Sequence, residues 1–162
     1  MSKIYLASSW KMASVVKDIA DLLRKRGHEV DAFCDDENGK RVSFDWNELF
    51  DIMKDESIDI SIEDAKTMMT HWRVKEAFKE DKKFIDWADV LIMLMPCGRS
   101  SHLEAGYAAG SGKRLYIIGG FEKGEFETMY GFADKMYYYE ETHKMFNDLK
   151  KCGDDKWISQ NL

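Results

Sequence analysis

Asp89-Val90-Leu91-Ile92-Met93-Leu94-Met95-Pro96-Cys97-Gly98-Arg99-Ser100-Ser101-His102-Leu103-Glu104-Ala105-Gly106-Tyr107-Ala108-Ala109-Gly110 is the stretch that decides the fold. Val90 to Met95 is an unbroken apolar run of strand length, without the alternation of a strand buried on one side only. It reads as a central strand covered on both faces. Pro96, the single proline of the chain, ends it. Cys97 to Ser101 reads as a loop and His102 to Gly112 as a helix. Ala105, Gly106, Ala108, Ala109 and Gly110 let that helix pack closely on a sheet.

Working outward, the same grammar recurs on both sides. Residues 3 to 8 read as a buried strand ending in Ser8-Ser9, and Val15, Val16, Ile19, Leu22 and Leu23 mark one face of a helix. Gly27 suits that helix's C-terminal cap, after the basic run Arg24-Lys25-Arg26 that complements the negative end of its dipole. Glu29 to Cys34 is a second strand, completing a strand–helix–strand unit. Downstream, Arg114 to Gly119 reads as a strand, Gly119-Gly120 as a turn and Glu125 to Ala133 as a short helix. Lys135 to Tyr139 makes a last strand and Glu140 to Lys151 a closing helix. Glu63 to Trp87 is helix-prone, with Met68, Trp72, Val74, Phe78, Phe84 and Ile85 facing inward. Residues 35–62 form an insertion or lid, and 153–162 a loose tail. The expectation is one α/β domain over residues 1–162: a doubly wound, mostly parallel five-stranded sheet flanked by helices, Rossmann- or flavodoxin-like.

Composition narrows the function. Of 162 residues, 44% are hydrophobic and 33% charged, which excludes a disordered chain. A net charge of -6 argues against a general nucleic-acid binder, and no apolar run approaches membrane-spanning length. The strand pattern begins at Lys3, with no room for a signal peptide. Three cysteines, Cys34, Cys97 and Cys152, lack a Cys-x-x-Cys pair, so a reducing cytoplasm is the expected setting. His28, His71 and His143 show no ligand spacing, so no metal site is expected.

Ligands of such sheets bind beyond the carboxyl ends of the strands. Two polar loops fall there: Ser8-Ser9-Trp10-Lys11, and Cys97 to Glu104. Gly98, Ser100 and Ser101 offer amides and hydroxyls of the kind that bind a phosphate or sugar hydroxyl, Arg99 adds a cation, and His102 can donate to a ligand. Glu104 has two readings. Ser101-x-x-Glu104 matches a capping box, in which the glutamate bonds back to the cap residue's N–H; alternatively its carboxylate faces the cleft, and one geometry can serve both. There is no Gly-x-Ser-x-Gly elbow, Walker A loop or Gly-x-Gly-x-x-Gly fingerprint. Cys97 has no His–acid partner pattern and reads as a small buried thiol.

The segment Asp86-Trp87-Ala88-Asp89-Val90-Leu91, continued through Pro96 to Lys113, resembles the signature of the nucleoside 2-deoxyribosyltransferase-like superfamily, which includes nucleoside-monophosphate N-glycosidases. The opening Lys3-Ile4-Tyr5-Leu6-Ala7-Ser8-Ser9-Trp10 is similar to that superfamily's first strand and loop, and Met129-Tyr130 adds to the match. Residues 35–70 fall outside it. The resemblance implies that Glu104 is the carboxylate that attacks the anomeric carbon, suiting an oxocarbenium-like transition state. It implies that Asp81, eight positions before Asp89, assists protonation of the leaving base, and that Tyr5 orients the nucleophile. Trp10 can stack on a base. One departure stands out: the deoxyribosyltransferases carry an aspartate six positions before the nucleophile, where this chain has Gly98. With Arg99, Ser100 and Ser101 beside it, that shifts weight toward hydrolysis of a nucleotide or related N-ribosyl compound.

The expected partner is therefore a small nucleoside or nucleotide, with no cofactor, and the resemblance implies a homodimer or larger homo-oligomer. Two rivals come from other classes: a catalytically silent module that sequesters a nucleotide-like ligand, and a flavodoxin-like redox or signalling domain. The lack of a Ser/Thr-rich flavin phosphate loop after the first strand weakens the latter.

Overall fold

A computed structural model describes residues 1–35, 60–121 and 123–149. Contacts divide the chain into two compact units where the sequence reads as one domain: Met1–Asp35 with Phe84–Leu162, and Asp36–Lys83. The insertion read over 35–62 lies, apart from its ends, outside the described residues, as does the tail over 153–162.

In chain order the elements are β1 (Lys3–Ala7), α1 (Ala13–Arg24), β2 (Glu29–Ala32), α2 (Ile62–Thr70), α3 (Trp72–Trp87), β3 (Val90–Leu94), α4 (Arg99–Gly110), β4 (Arg114–Ile118) and β5 (Lys135–Tyr137). Helical residues 142–149 follow and are called α5. Of the second unit, α2 and α3 up to Lys83 are described; the last turn of α3 belongs to the first unit. The sheet is five-stranded and parallel throughout, in the order β2-β1-β3-β4-β5. It is an α/β fold of the expected class.

The central strand is buried on both faces, as its unbroken apolar run requires. Val90, Ile92 and Leu94 pack with Ile4, Leu6 and Ile118 against Val16, Ile19, Leu23 and, from α5, Met145, Phe146 and Leu149. Leu91 and Met93 face the other way with Tyr5, Ala7, Leu115 and Ile117, against Ala105 and Ala108 of α4. All five β3 side chains are essentially inaccessible, and burial of each contributes roughly 1.5–3 kcal/mol. Ala105 and Ala108 at the contact explain the small-residue composition of α4: without bulk there, its axis can come close to the sheet.

Several boundaries differ from the sequence reading. α4 starts at Arg99, three residues before His102, because Gly98 supplies the extended residue that precedes a helix (φ -88°, ψ 179°). Arg99, Ser100 and Ser101 thus form its first turn; their polarity imitates a loop but does not prevent helix. The N-cap is Gly98, with no side-chain cap bond, so the Ser101–Glu104 capping box does not form. A box does form at Ser61 and Asp64, at the start of α2. His71, with ψ 135°, breaks the helix-prone stretch in two. Trp72 and Phe78, read as inward, are exposed, whereas Met68 and Ile85 are buried. β5 stops at Tyr137, and Tyr139–Glu141 make a 3₁₀ turn; the helix expected from Glu125 is a 3₁₀ turn over Thr128–Phe132. Among the described residues no helix is long and apolar enough to cross a membrane.

Candidate active site

Strand order reverses between β1 and β3, and the chain leaves both strands at the same sheet edge. This is the switch point at which open α/β sheets bind ligands. The two polar loops singled out from sequence are the two that flank it.

On the β1 side, Ser8 and Ser9 spend their hydroxyls on the scaffold. Ser8 Oγ donates to the Leu94 carbonyl (2.9 Å), tying the end of β1 to the end of β3. Ser9 caps the short 3₁₀ turn Trp10–Met12, its Oγ accepting from the Lys11 amide at 3.1 Å. Trp10 is 65% exposed and stands edge-on against Phe33, centroids 4.9 Å apart. It is a large aromatic held in place with most of its surface open. Tyr5 is buried within β1, on the sheet face that α4 covers.

On the β3 side, Met95 is joined to Pro96 by a cis peptide bond, and the connection runs through Cys97 to Gly98. Met95 lies hard against the next loop: a Cβ on Gly119, whose φ is +123°, would meet the Met95 carbonyl oxygen at 2.9 Å. Gly119 thus has both a steric and a conformational reason to be glycine. Tyr139 donates its hydroxyl to the same carbonyl. Burial first, and then the nearby Glu104 and Glu125 carboxylates, push the Cys97 thiol up to about 11 against a lowering bond from Ser101. Such a thiol stays protonated at neutral pH and is a poor nucleophile.

The first turn of α4 splits its side chains. Gly98, Arg99 and Ser100 are exposed, whereas Ser101 is 2% exposed and turned inward. The expected substrate contact by Ser101 therefore does not fit its position. His102 has both ring nitrogens within bonding distance of protein atoms: Nδ1 lies 2.8 Å from the Gly98 carbonyl and Nε2 lies 2.9 Å from the Tyr130 hydroxyl. Glu104 is half-buried in the second turn, with the Ser100 hydroxyl donating to its Oε1 at 3.4 Å.

The helix has two flanks around its buried line Ser101–Ala105–Ala108. His102 and Gly106, on one flank, line an apolar cleft of about 330 Å³ with Leu115 of β4, Glu127, Met129, Tyr130 and Phe132. Since β4 lies on one side of β3 and β1 on the other, the opposite flank, which carries Glu104, turns toward β1 and the switch point. Asp81 lies on α3 in the second unit and is half-buried there.

Tyr130 and Tyr139 were not singled out from sequence as site residues. Tyr130 belongs to the Met129-Tyr130 match, and Tyr139 reads in sequence as the end of the last strand. Nothing in local sequence reports that a phenol will reach a carbonyl 44 residues away.

No family model matches the sequence, and no curated protein does. Among solved structures, the CMP N-glycosidase of Clostridium botulinum superposes with a TM-score of 0.52 at 16% identity, over 91% of this chain and 97% of that one. The 2-deoxyribosyltransferase of Bacillus psychrosaccharolyticus superposes with a TM-score of 0.49 at 21% identity, over 91% of this chain and 90% of that one. The fold is that of a parallel α/β domain. In particular, the chain shares its fold with the clostridial CMP N-glycosidase.

Proposed function

We propose that this protein is an enzyme that cleaves or transfers the N-glycosidic bond of a nucleoside, nucleotide or related N-ribosyl compound, with Glu104 as a carboxylate nucleophile. The observation that carries the reading is the place of Glu104. It stands in the second turn of α4, on the flank toward the switch point, and Gly98 rather than a Ser101–Glu104 box caps the helix. The fold shared with a CMP N-glycosidase supports the same chemistry.

In the proposed sequence, a Glu104 oxygen attacks C1′ as the C1′–N bond breaks, and the bonding pair leaves with the base. Management of the proton that the base takes up falls to Asp81 only as what the resemblance implies. Water, or a second base, then displaces Glu104 from the glycosyl ester and restores it. Tyr5 orients the nucleophile, as the resemblance implies, and Trp10 presents an exposed ring on which a base can stack.

A nucleotide is favoured over a nucleoside by the first turn of α4. Gly98 replaces the substrate-reading aspartate of the deoxyribosyltransferases, the first turn holds no acid, and Arg99 and Ser100 are exposed. The amides of a helix N-terminus with a cation beside them suit a phosphate. A homodimer or larger homo-oligomer belongs to the same reading. It is supported by the exposed Phe126, Met129 and Phe132; the last two are spaced by three in a 3₁₀ turn and so share one side.

The test is release of free base, followed by chromatography, from a panel of nucleosides, nucleoside 5′-monophosphates and NAD. Release from at least one member, lost in Glu104→Gln, is expected. Binding without release across the panel would overturn the enzymatic reading and favour a sequestering module.

A further inference from the structure

Three carbonyls of the connection from β3 to α4 are each held by a side chain: Leu94 by Ser8, Met95 by Tyr139 and Gly98 by His102. The third differs from the others because the ring that holds it is itself gripped. His102 Nδ1 is 2.8 Å from the Gly98 oxygen and Nε2 is 2.9 Å from the Tyr130 hydroxyl. The Cys97 sulfur also lies 3.7 Å from Nδ1, but the much shorter contact is to a carbonyl, which only accepts, so Nδ1 carries the proton. In a neutral imidazole the other nitrogen is then an acceptor, and Tyr130 donates to it. The alternative acceptor for Tyr130, the Glu125 carbonyl, is farther away at 3.4 Å. Tyr130 is in turn buried and stacked at 4.8 Å on Phe121, so the far end of the chain of bonds is anchored in packing.

We propose that His102, fixed as the Nδ1–H tautomer between Gly98 and Tyr130, is a positioning residue: it adds a second bond to the Gly98 oxygen, beside the backbone bond with which this N-cap carbonyl opens α4, and so restrains the Gly98–Arg99 peptide plane. A trans peptide is planar, so holding the Gly98 oxygen aims the Arg99 N–H the opposite way. That amide is the first of the row that α4 presents at its open end. Its direction is therefore tightened from Tyr130, on the cleft flank of the helix, through a residue whose two ring nitrogens both face protein atoms. The consequence for catalysis rests on the proposed function. Glu104 lies on the opposite flank, one turn further along, so loosening the latch weakens binding at the first turn while leaving the attack in place. Loss of interactions made equally in ground and transition states raises KM and spares kcat.

Three variants test this. The amide of His102→Asn can replace Nδ1 and keep the Gly98 bond; that of His102→Gln reaches nearer the place of Nε2; Tyr130→Phe removes only the outer bond. For base release from a nucleoside 5′-monophosphate, His102→Gln is expected to raise KM about tenfold with kcat within about twofold. His102→Asn should recover most of that loss. A merely structural histidine gives a different pattern: all variants melt earlier, Asn is no better than Gln, and KM is unmoved well below the melting temperature. That result overturns the proposal. Nitrogen-15 spectra of the labelled histidines provide a readout without substrate. A protonated Nδ1 with a hydrogen-bonded, unprotonated Nε2 that shifts in Tyr130→Phe is expected; an Nε2–H tautomer in the unaltered protein overturns the latch. If the unaltered protein releases no base from any substrate, the glycosidase reading fails, and the latch is decided by the spectrum alone.

Discussion

The two flanks of α4 are neighbours of opposite character. Toward β1 the helix carries a half-buried carboxylate, Glu104. Toward β4 it carries a histidine clamped at both nitrogens and a glycine, over an apolar cleft. A helix with almost no amphipathic contrast in sequence thus separates chemistry from support by angle alone. Residues two apart, Glu104 and His102, end on opposite sides because each step along a helix turns about 100°. The comparison suggests that one flank acts and the other holds.

The sharpest way to break that division is Glu104→Gln, which removes the charge proposed to attack C1′ at almost constant shape. Base release should fall by about 10⁴-fold or more, with a melting temperature close to that of the unaltered protein; measurable turnover at even a tenth of the normal rate would remove Glu104 from the mechanism. The next effect is on the fold. Gly119→Ala forces a side chain into a backbone with φ +123° and against the Met95 oxygen, and should cost about 2–4 kcal/mol in denaturant unfolding. Gly98→Ala, one connection away, meets nothing within 4 Å and should cost only the difference between a Gly and an Ala N-cap, about 0.5–1 kcal/mol, which separates steric strain from capping at the two glycines.

On the supporting flank, Met129→Glu combined with Phe132→Glu places charge on the exposed 3₁₀ turn. If this surface joins copies of the chain, sedimentation should show dissociation with the far-ultraviolet circular dichroism spectrum retained; an unchanged assembly would place the contact elsewhere. The smallest effect concerns Cys97. With its pKa raised to about 11 by burial, the thiol should alkylate more slowly than a free thiol at pH 8, because the thiolate is the reactive form. The rate, followed by peptide mapping, should keep rising beyond pH 9 instead of levelling there.

Much of this was legible locally. β3 was visible as an apolar run closed by Pro96 because burial on both faces leaves no room for alternation. α1 was visible as a stripe of Val16, Ile19 and Leu23 because only one of its faces meets the sheet. The start of α4 was not legible, since the signal for it was the backbone of a single glycine, and Arg99-Ser100-Ser101 has the composition of a loop. The same error created the capping box: moving the helix start from Ser101 to just after Gly98 carries Glu104 out of the first turn. In the 3₁₀ turn over Thr128–Phe132, length defeated the reading, because too few residues are present for a helical period to register.

The sequence by itself determined the parallel α/β class, the two loops at one edge of the sheet and the acid that stands out between them. These follow from hydrophobic pattern and from the order of elements, which short-range chemistry encodes. Only the tertiary structure decided which polar groups are occupied. Ser8, Ser101 and His102 all looked available in the chain, yet one holds a carbonyl across the sheet, one is buried and one is clamped by a tyrosine 28 residues away. Hydrogen-bond partners of that kind are selected by proximity after folding, and proximity between distant residues leaves no periodicity to read.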